Sequence, residues 1–108
     1  MRNEEIKSLF ASLKEKTEVL DVDLHVLRVR NKKFILDGFT DPRFKRVILT
    51  INEDFEELPS EIFSVVILHE LKHLKYPKFS EKIIHTETVK QYEKIFNKSF
   101  PEFETEIR

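Results

Sequence analysis

The chain has 108 residues, of which 40% are hydrophobic and 36% charged, and its 19 basic and 20 acidic side chains leave a formal net charge of −1. This length suits one domain, and the apolar content excludes a disordered chain. The balanced charge argues against nucleic-acid binding, and the absence of cysteine excludes disulfides and thiol chemistry. Since there is neither a secretory leader nor an apolar run of about 18 residues, we expect a soluble, cytoplasmic protein that does not enter a membrane.

The first half of the chain predicts one helix followed by three strands. A helical stripe with spacings of three and four residues lies near the N-terminus, and Asn3 is placed to cap that helix. A strand over 24–29, a turn at 31–32 and a returning strand over 33–36 predict a hairpin that Asp37 and Gly38 end. A third strand over 47–51 is almost wholly apolar, which predicts burial on both faces. The residues of the first helical stripe are Ile6, Leu9, Phe10 and Leu13.

The second half of the chain predicts two helices. The first begins at Ser60, a good N-cap residue, and runs towards Tyr76, because Pro77 cannot continue it. The second begins near residues 79–80 and ends by Pro101. The order of one helix, three strands and two helices predicts an α+β fold with helices packed on a small sheet.

The segment His69-Glu70-Leu71-Lys72-His73 is an H-E-x-x-H sequence on the first of these two helices. Histidines four residues apart share a helix face at about 6 Å between Cβ atoms, so both rings can bind one zinc ion. Glu70 lies at the edge of that face, where it can accept a proton from a water molecule on the metal. This pattern is rare by chance, and it predicts a catalytic zinc site.

The apolar residues of the same helix support this interpretation. Their stripe is centred more than 90° from the two histidines, by the step of about 100° per residue. One helix face can therefore pack in a core while the other borders a cleft. Lys72, between the histidines, is expected to be solvated. The stripe consists of Phe63, Ile67, Leu71 and Leu74.

A catalytic zinc also needs a third protein ligand. The downstream candidates are Glu81, His85 and Glu87. By helical phase, His85 lies within the apolar arc of the last helix, whereas Glu87 lies about 130° from the centre of that arc and should face solvent. We therefore expect His85 to be the third ligand, with Glu81 as the alternative.

With His85 twelve residues after the second motif histidine, the chain resembles the minigluzincins, a family of minimal soluble zinc peptidases. The resemblance extends over nearly the whole predicted order of elements. It implies that His69, His73 and His85 bind one Zn²⁺ and that Glu70 is the general base for a zinc-bound water, with peptides or proteins as substrates. Residues 1–98 would form the metallopeptidase domain.

The resemblance also implies latency, in which residues 99–108 form a tail that covers the cleft within one molecule or by exchange between two. The protein would accordingly be a monomer or a C-terminally swapped dimer. Phe100, Phe103 and Ile107 are the apolar residues of this tail that could lie in an apolar cleft. A strand over 47–51, if it lies at a sheet edge, could pair with an extended peptide substrate.

Two other functions remain open at the level of the sequence. The first is a zinc-stabilised regulatory or binding module with little or no catalysis, in which Glu81 or a tail carboxylate is the fourth protein ligand. The second is an interaction domain that binds no metal, for which a chelator would leave the melting temperature unchanged.

Overall fold

The computed structural model describes residues 1–55 and 58–101. It contains helix α1 (Asn3–Thr17), strands β1 (Asp23–Val29), β2 (Leu36–Asp41) and β3 (Arg46–Asn52), and helices α2 (Ser60–Lys75) and α3 (Glu81–Phe96). None of the helices in this part of the chain combines the length and the apolar content needed to cross a bilayer.

The three strands form one mixed sheet in the order β1-β3-β2. Strand β1 runs parallel to β3, whereas β2 runs antiparallel to it. Helix α2 packs against α1, α3 and the sheet, so it lies at the centre of the molecule. The predicted α+β fold, with helices on a small sheet, is therefore confirmed. The buried core side chains of β3 are Val47, Leu49 and Ile51.

All three predicted helices form, and their apolar stripes face the core. In α1, Ile6, Phe10 and Leu13 are buried. The predicted cap is wrong by one residue: the cap position is Arg2, whose backbone N–H donates to Glu5 Oε1 at 2.9 Å. Helix α2 likewise begins at Ser60 with Pro59 in the cap position.

The predicted hairpin between 24–29 and 33–36 is wrong, because the second strand forms further along the chain and pairs with a different partner. The turn itself exists, since Asn31 has a left-handed φ of 59°. The loop then continues to Leu36, and the buried Asn52 side chain donates to the carbonyls of Lys32 and Phe34 at 2.9 and 2.8 Å. The loop is thereby attached to the end of β3, and β2 pairs with β3 instead of β1.

Gly38, which the sequence suggested as a strand breaker, lies inside β2. A Cβ atom at this position would lie 2.5 Å from Val66 Cγ1 and 3.0 Å from Glu70 Cγ, both on α2. The glycine is therefore required by the close approach of the β2 backbone to α2, and no left-handed conformation is involved.

Strand β3 is the central strand, so the prediction that 47–51 could pair with a peptide at a sheet edge is wrong. The prediction that this strand is buried on both faces is also only half correct, since Ile48 and Thr50 on the outer face are half-buried. The edge strand beside α2 is β2, which puts residues 37–40 next to the helix that carries the motif.

Candidate metal centre

His69 and His73 lie one turn apart on α2, with their rings on the same side of the helix. Their Nε2 atoms are 3.1 Å apart, and the rings meet edge to face with centroids 4.8 Å apart. About a quarter of each side chain is exposed, at 25% and 24%. Both rings therefore direct a ligating nitrogen at one point at the edge of a cleft.

This separation of the two nitrogen atoms matches a zinc site. Two nitrogen ligands at about 2.0–2.1 Å in a tetrahedron lie about 3.3 Å from each other. Burial, and next to it the neighbouring His73, lowers the pKa of His69 below its usual range, so the ring is held in the neutral form that binds metals. The donor set thus fits a borderline-soft divalent ion such as zinc.

A carboxylate from α3 meets both histidines. Glu81 Oε2 lies 3.1 Å from His69 Nε2, and Glu81 Oε1 lies 2.8 Å from His73 Nε2. Glu81 is the first residue of α3, which begins there because the Ser80 hydroxyl accepts from the Ile83 backbone N–H at 3.3 Å. The start of α3 therefore supplies a third donor to the point where the two rings converge.

His85 follows one turn later on α3 and lines the same cavity. Its side chain is exposed, and its ring lies edge to face against Phe100, with centroids 5.8 Å apart. Sequence reasoning placed His85 in the buried arc of α3, but the buried residues of that arc are Ile84, Thr88 and Tyr92. Of the two candidate third ligands, Glu81 is the one whose described contacts join both motif histidines.

Glu70 is buried between α2 and β2, with 6% of its surface exposed. The Thr40 hydroxyl lies 2.9 Å from Glu70 Oε1 and 3.2 Å from the Glu70 carbonyl oxygen. Burial raises the pKa of Glu70 above its usual range, and the bond from Thr40 opposes this rise. One donor atom from each of His69, Glu70 and His73 lies within 4.8 Å of the others.

Sequence reasoning missed Thr40 and Gly38, which enclose Glu70 from the sheet side. The only signal for Gly38 was that it is the single glycine of the chain. The expectation for Lys72 was wrong: it is 4% exposed, and its ammonium donates to Gln91 Oε1 at 2.8 Å. Burial lowers the pKa of Lys72, and the bond to Gln91 joins α2 to α3.

The candidate centre opens into a cavity of about 1170 Å³. Strand β2 forms one wall, α2 the floor, and the first two turns of α3 the opposite wall. Phe100 and Pro101 also line it, which brings the start of the predicted tail to the cleft. A cleft of this size can accommodate several residues of a peptide.

Comparison with known proteins yields a match in fold. No protein-family model matches the sequence, and no curated protein matches it. The fold is similar to that in the crystal structure of the metallopeptidase zymogen of Pyrococcus abyssi abylysin, with a TM-score of 0.51 and 14% sequence identity over 89% of this chain and 99% of that chain. This likeness supports the α+β fold.

Proposed function

We propose that this protein is a zinc-dependent metallopeptidase that hydrolyses peptide bonds. The observation that carries the proposal is the convergence of His69 Nε2, His73 Nε2 and a carboxylate from α3 within 2.8–3.1 Å contacts, next to the buried Glu70. The fold likeness to a metallopeptidase zymogen adds support. The proposed substrates are peptides or proteins, because a cavity of about 1170 Å³ can hold several residues of a peptide.

His69 and His73 are the proposed metal ligands on α2, and α3 supplies the third. The family resemblance favours His85 for this role, whereas the contacts with both motif histidines favour Glu81. The chemistry that a bound zinc ion would supply is a pKa of water lowered towards ~7 and polarisation of the substrate carbonyl. Glu70 would accept a proton from the water as its oxygen bonds to the carbonyl carbon, and would pass that proton to the amine as the C–N bond breaks.

The edge of β2 that faces away from β3 is the proposed binding surface for the substrate backbone. Residues 37–40 line the cavity, and one edge of β2 pairs with β3. An extended peptide on the other edge would gain main-chain hydrogen bonds and run past the two histidines. This edge takes the substrate-binding role that the sequence suggested for residues 47–51, because those residues belong to the central strand of the sheet.

The test of the catalytic role is Glu70→Gln, which keeps the size and removes the base. We expect this variant to bind as much zinc as the wild type and to lose cleavage of a fluorogenic peptide library by at least about 100-fold, in the range of general-base catalysis. Glu4→Gln, on the exposed side of α1, is the matched control. Wild-type cleavage rates in Glu70→Gln would remove Glu70 from the mechanism, and a zinc-loaded wild type that cleaves no peptide would contradict the peptidase proposal.

A second candidate function is a zinc-stabilised binding module, which the two donors on α3 favour. If Glu81 and His85 both bind zinc together with the motif histidines, four protein ligands close the site. In a catalytic site, only one of the variants Glu81→Gln and His85→Ala should release zinc at a given chelator concentration. Release from both, with no cleavage by the wild type, would favour the binding module.

We further propose that residues 99–108 make the enzyme latent. Phe100 lines the cavity, packs against His85, and donates its backbone N–H to Glu93 Oε2 at 3.1 Å. The predicted tail residues Phe103 and Ile107 lie outside the described residues. Truncation after Lys98 should raise peptidase activity, and a change of elution volume on truncation would indicate a swapped dimer. Unchanged activity with an intact fold would contradict latency.

A further inference from the structure

Thr40 connects the edge strand of the sheet to the Glu70 side chain. It lies near the end of β2, and its hydroxyl oxygen is 2.9 Å from Glu70 Oε1 and 3.2 Å from the Glu70 carbonyl oxygen. A hydroxyl carries one hydrogen, so it donates to one of these oxygens at a time. The shorter of the two contacts is the one to Oε1, which attaches the Glu70 carboxylate to β2.

The bond selects one orientation of a side chain that is otherwise free to rotate. A glutamate has three side-chain torsions, and its last torsion is broad and nearly two-fold. The contact with Thr40 engages Oε1 and leaves Oε2 as the oxygen that does not bind this hydroxyl. Since His69 and His73 flank Glu70 on α2, a fixed Oε2 is a proton acceptor in a constant position relative to them.

The packing around Glu70 supports the same conclusion. Gly38, two residues earlier on β2, leaves its Cβ position open, and an atom there would lie 3.0 Å from Glu70 Cγ and 3.3 Å from Glu70 Cδ. The aliphatic part of Glu70 therefore lies directly on the strand backbone, while its end is bonded to Thr40. Two regular elements, a helix and a strand, hold the carboxylate, and such elements position groups more accurately than loops do.

We propose that Thr40 is a positioning residue for the general base, which holds the Glu70 carboxylate in the orientation needed for proton transfer. This inference rests on the proposed peptidase function. Neither the metal ligands nor the substrate edge requires the hydroxyl itself. Its loss should therefore lower kcat and leave zinc binding and KM nearly unchanged.

The test compares Thr40→Val, which removes the hydroxyl at constant shape, with Thr40→Ser, which retains it. The loss of a hydrogen bond to a charged group lowers a rate constant by about 10- to 100-fold when the bond is needed in the transition state. We therefore expect kcat to fall by this factor in Thr40→Val. Thr40→Ser should restore most of kcat. Thr86→Val is the matched control, because Thr86 is an exposed residue of α3 whose hydroxyl donates to the Lys82 carbonyl of the same helix.

A spectroscopic measurement on the zinc-free protein tests the contact without relying on activity. The ¹³C resonance of the Glu70 carboxylate, assigned by its loss in Glu70→Gln, should shift in Thr40→Val and stay in place in Thr40→Ser and Thr86→Val. An unshifted resonance, or wild-type kcat in Thr40→Val while Glu70→Gln is inactive, would overturn the role of Thr40 alone. A zinc-loaded wild type that cleaves no peptide would instead overturn the proposed function, while the resonance would still report on the contact.

Discussion

Replacing Gly38 by alanine is the perturbation whose effect the structure specifies most directly. The added Cβ would lie 2.5 Å from Val66 Cγ1, a side chain that is 3% exposed. Carbon atoms pack at about 3.5–4.0 Å, so Val66 or the strand must move by about 1 Å. Overpacking of this kind destabilises a core by about 1–3 kcal/mol.

One smaller effect acts in the opposite direction. Alanine restricts the unfolded chain, which stabilises the protein by about 0.4–1 kcal/mol. Backbone strain does not cancel this gain, because Gly38 does not have a positive φ. The expected net effect of Gly38→Ala is therefore a decrease of about 1–2 kcal/mol in the free energy of unfolding. Urea unfolding of the zinc-free protein, followed by circular dichroism, measures it.

A double-mutant cycle with Val66→Ala separates the steric clash from other effects. Val66→Ala removes Cγ1 and destabilises the core by itself, but it also creates the space that the new Cβ needs. The double variant should therefore be more stable than the sum of the two single effects by about 1 kcal/mol or more. Strict additivity, or a stabilising effect of Gly38→Ala, would refute the argument that Gly38 is required by the approach of β2 to α2.

Four further measurements test the structure. Burial raises the pKa of Glu70 above its ordinary value of 4.5. The contribution of Glu70 to the stability of the zinc-free protein is therefore complete below pH 4.5 and is lost as the pH rises through the raised pKa. Glu70→Gln should reduce this pH dependence in urea midpoints measured against pH. Zinc at 100 times its Kd should add about 2.7 kcal/mol to the free energy of unfolding, and His73→Ala should abolish the gain in thermal melts. The buried Tyr92 hydroxyl has no hydrogen-bond partner among residues 1–55 and 58–101, so Tyr92→Phe should raise the free energy of unfolding by about 1 kcal/mol, and a lower urea midpoint would contradict this. Asn52→Ala removes the bonds to the loop carbonyls and to the Asp54 N–H, so it should lower the free energy of unfolding by about 2–3 kcal/mol in the same assay.

The helices and the motif were predictable from the sequence because their signals are local. The stripe of α1 and that of α2 repeat at helical spacing, and the same spacing placed His69 and His73 on one face. Ser80 and Pro77 mark the loop between α2 and α3. These features need only the relation between residues a few positions apart, which the sequence contains.

The pairing of the strands was not predictable, because it depends on contacts between distant parts of the chain. The Asn31 turn looks like a hairpin turn, but the side chain of Asn52 binds the following loop and β3 pairs with both other strands. Gly38 acts as a packing glycine against a helix that begins more than twenty residues later. Thr40 was missed for the same reason, since it contacts Glu70 across 30 positions of sequence.

The proposed third ligand shows the limit of helical phase. A helical wheel gives the angular positions of Glu81 and His85 on α3, but it carries no information about where α3 crosses α2. That crossing puts the first turn of α3 beside the histidines, where the Glu81 carboxylate contacts both rings. His85, one turn further, is at the same cavity and against Phe100.

X-ray absorption at the zinc edge on the zinc-loaded protein tests the metal centre most directly. We predict one zinc per chain, with at least two imidazole ligands at about 2.0–2.1 Å and the remaining positions filled by nitrogen or oxygen. His73→Ala should lose the metal or one imidazole. A protein that takes up no zinc, or a spectrum that His73→Ala leaves unchanged, would contradict the account.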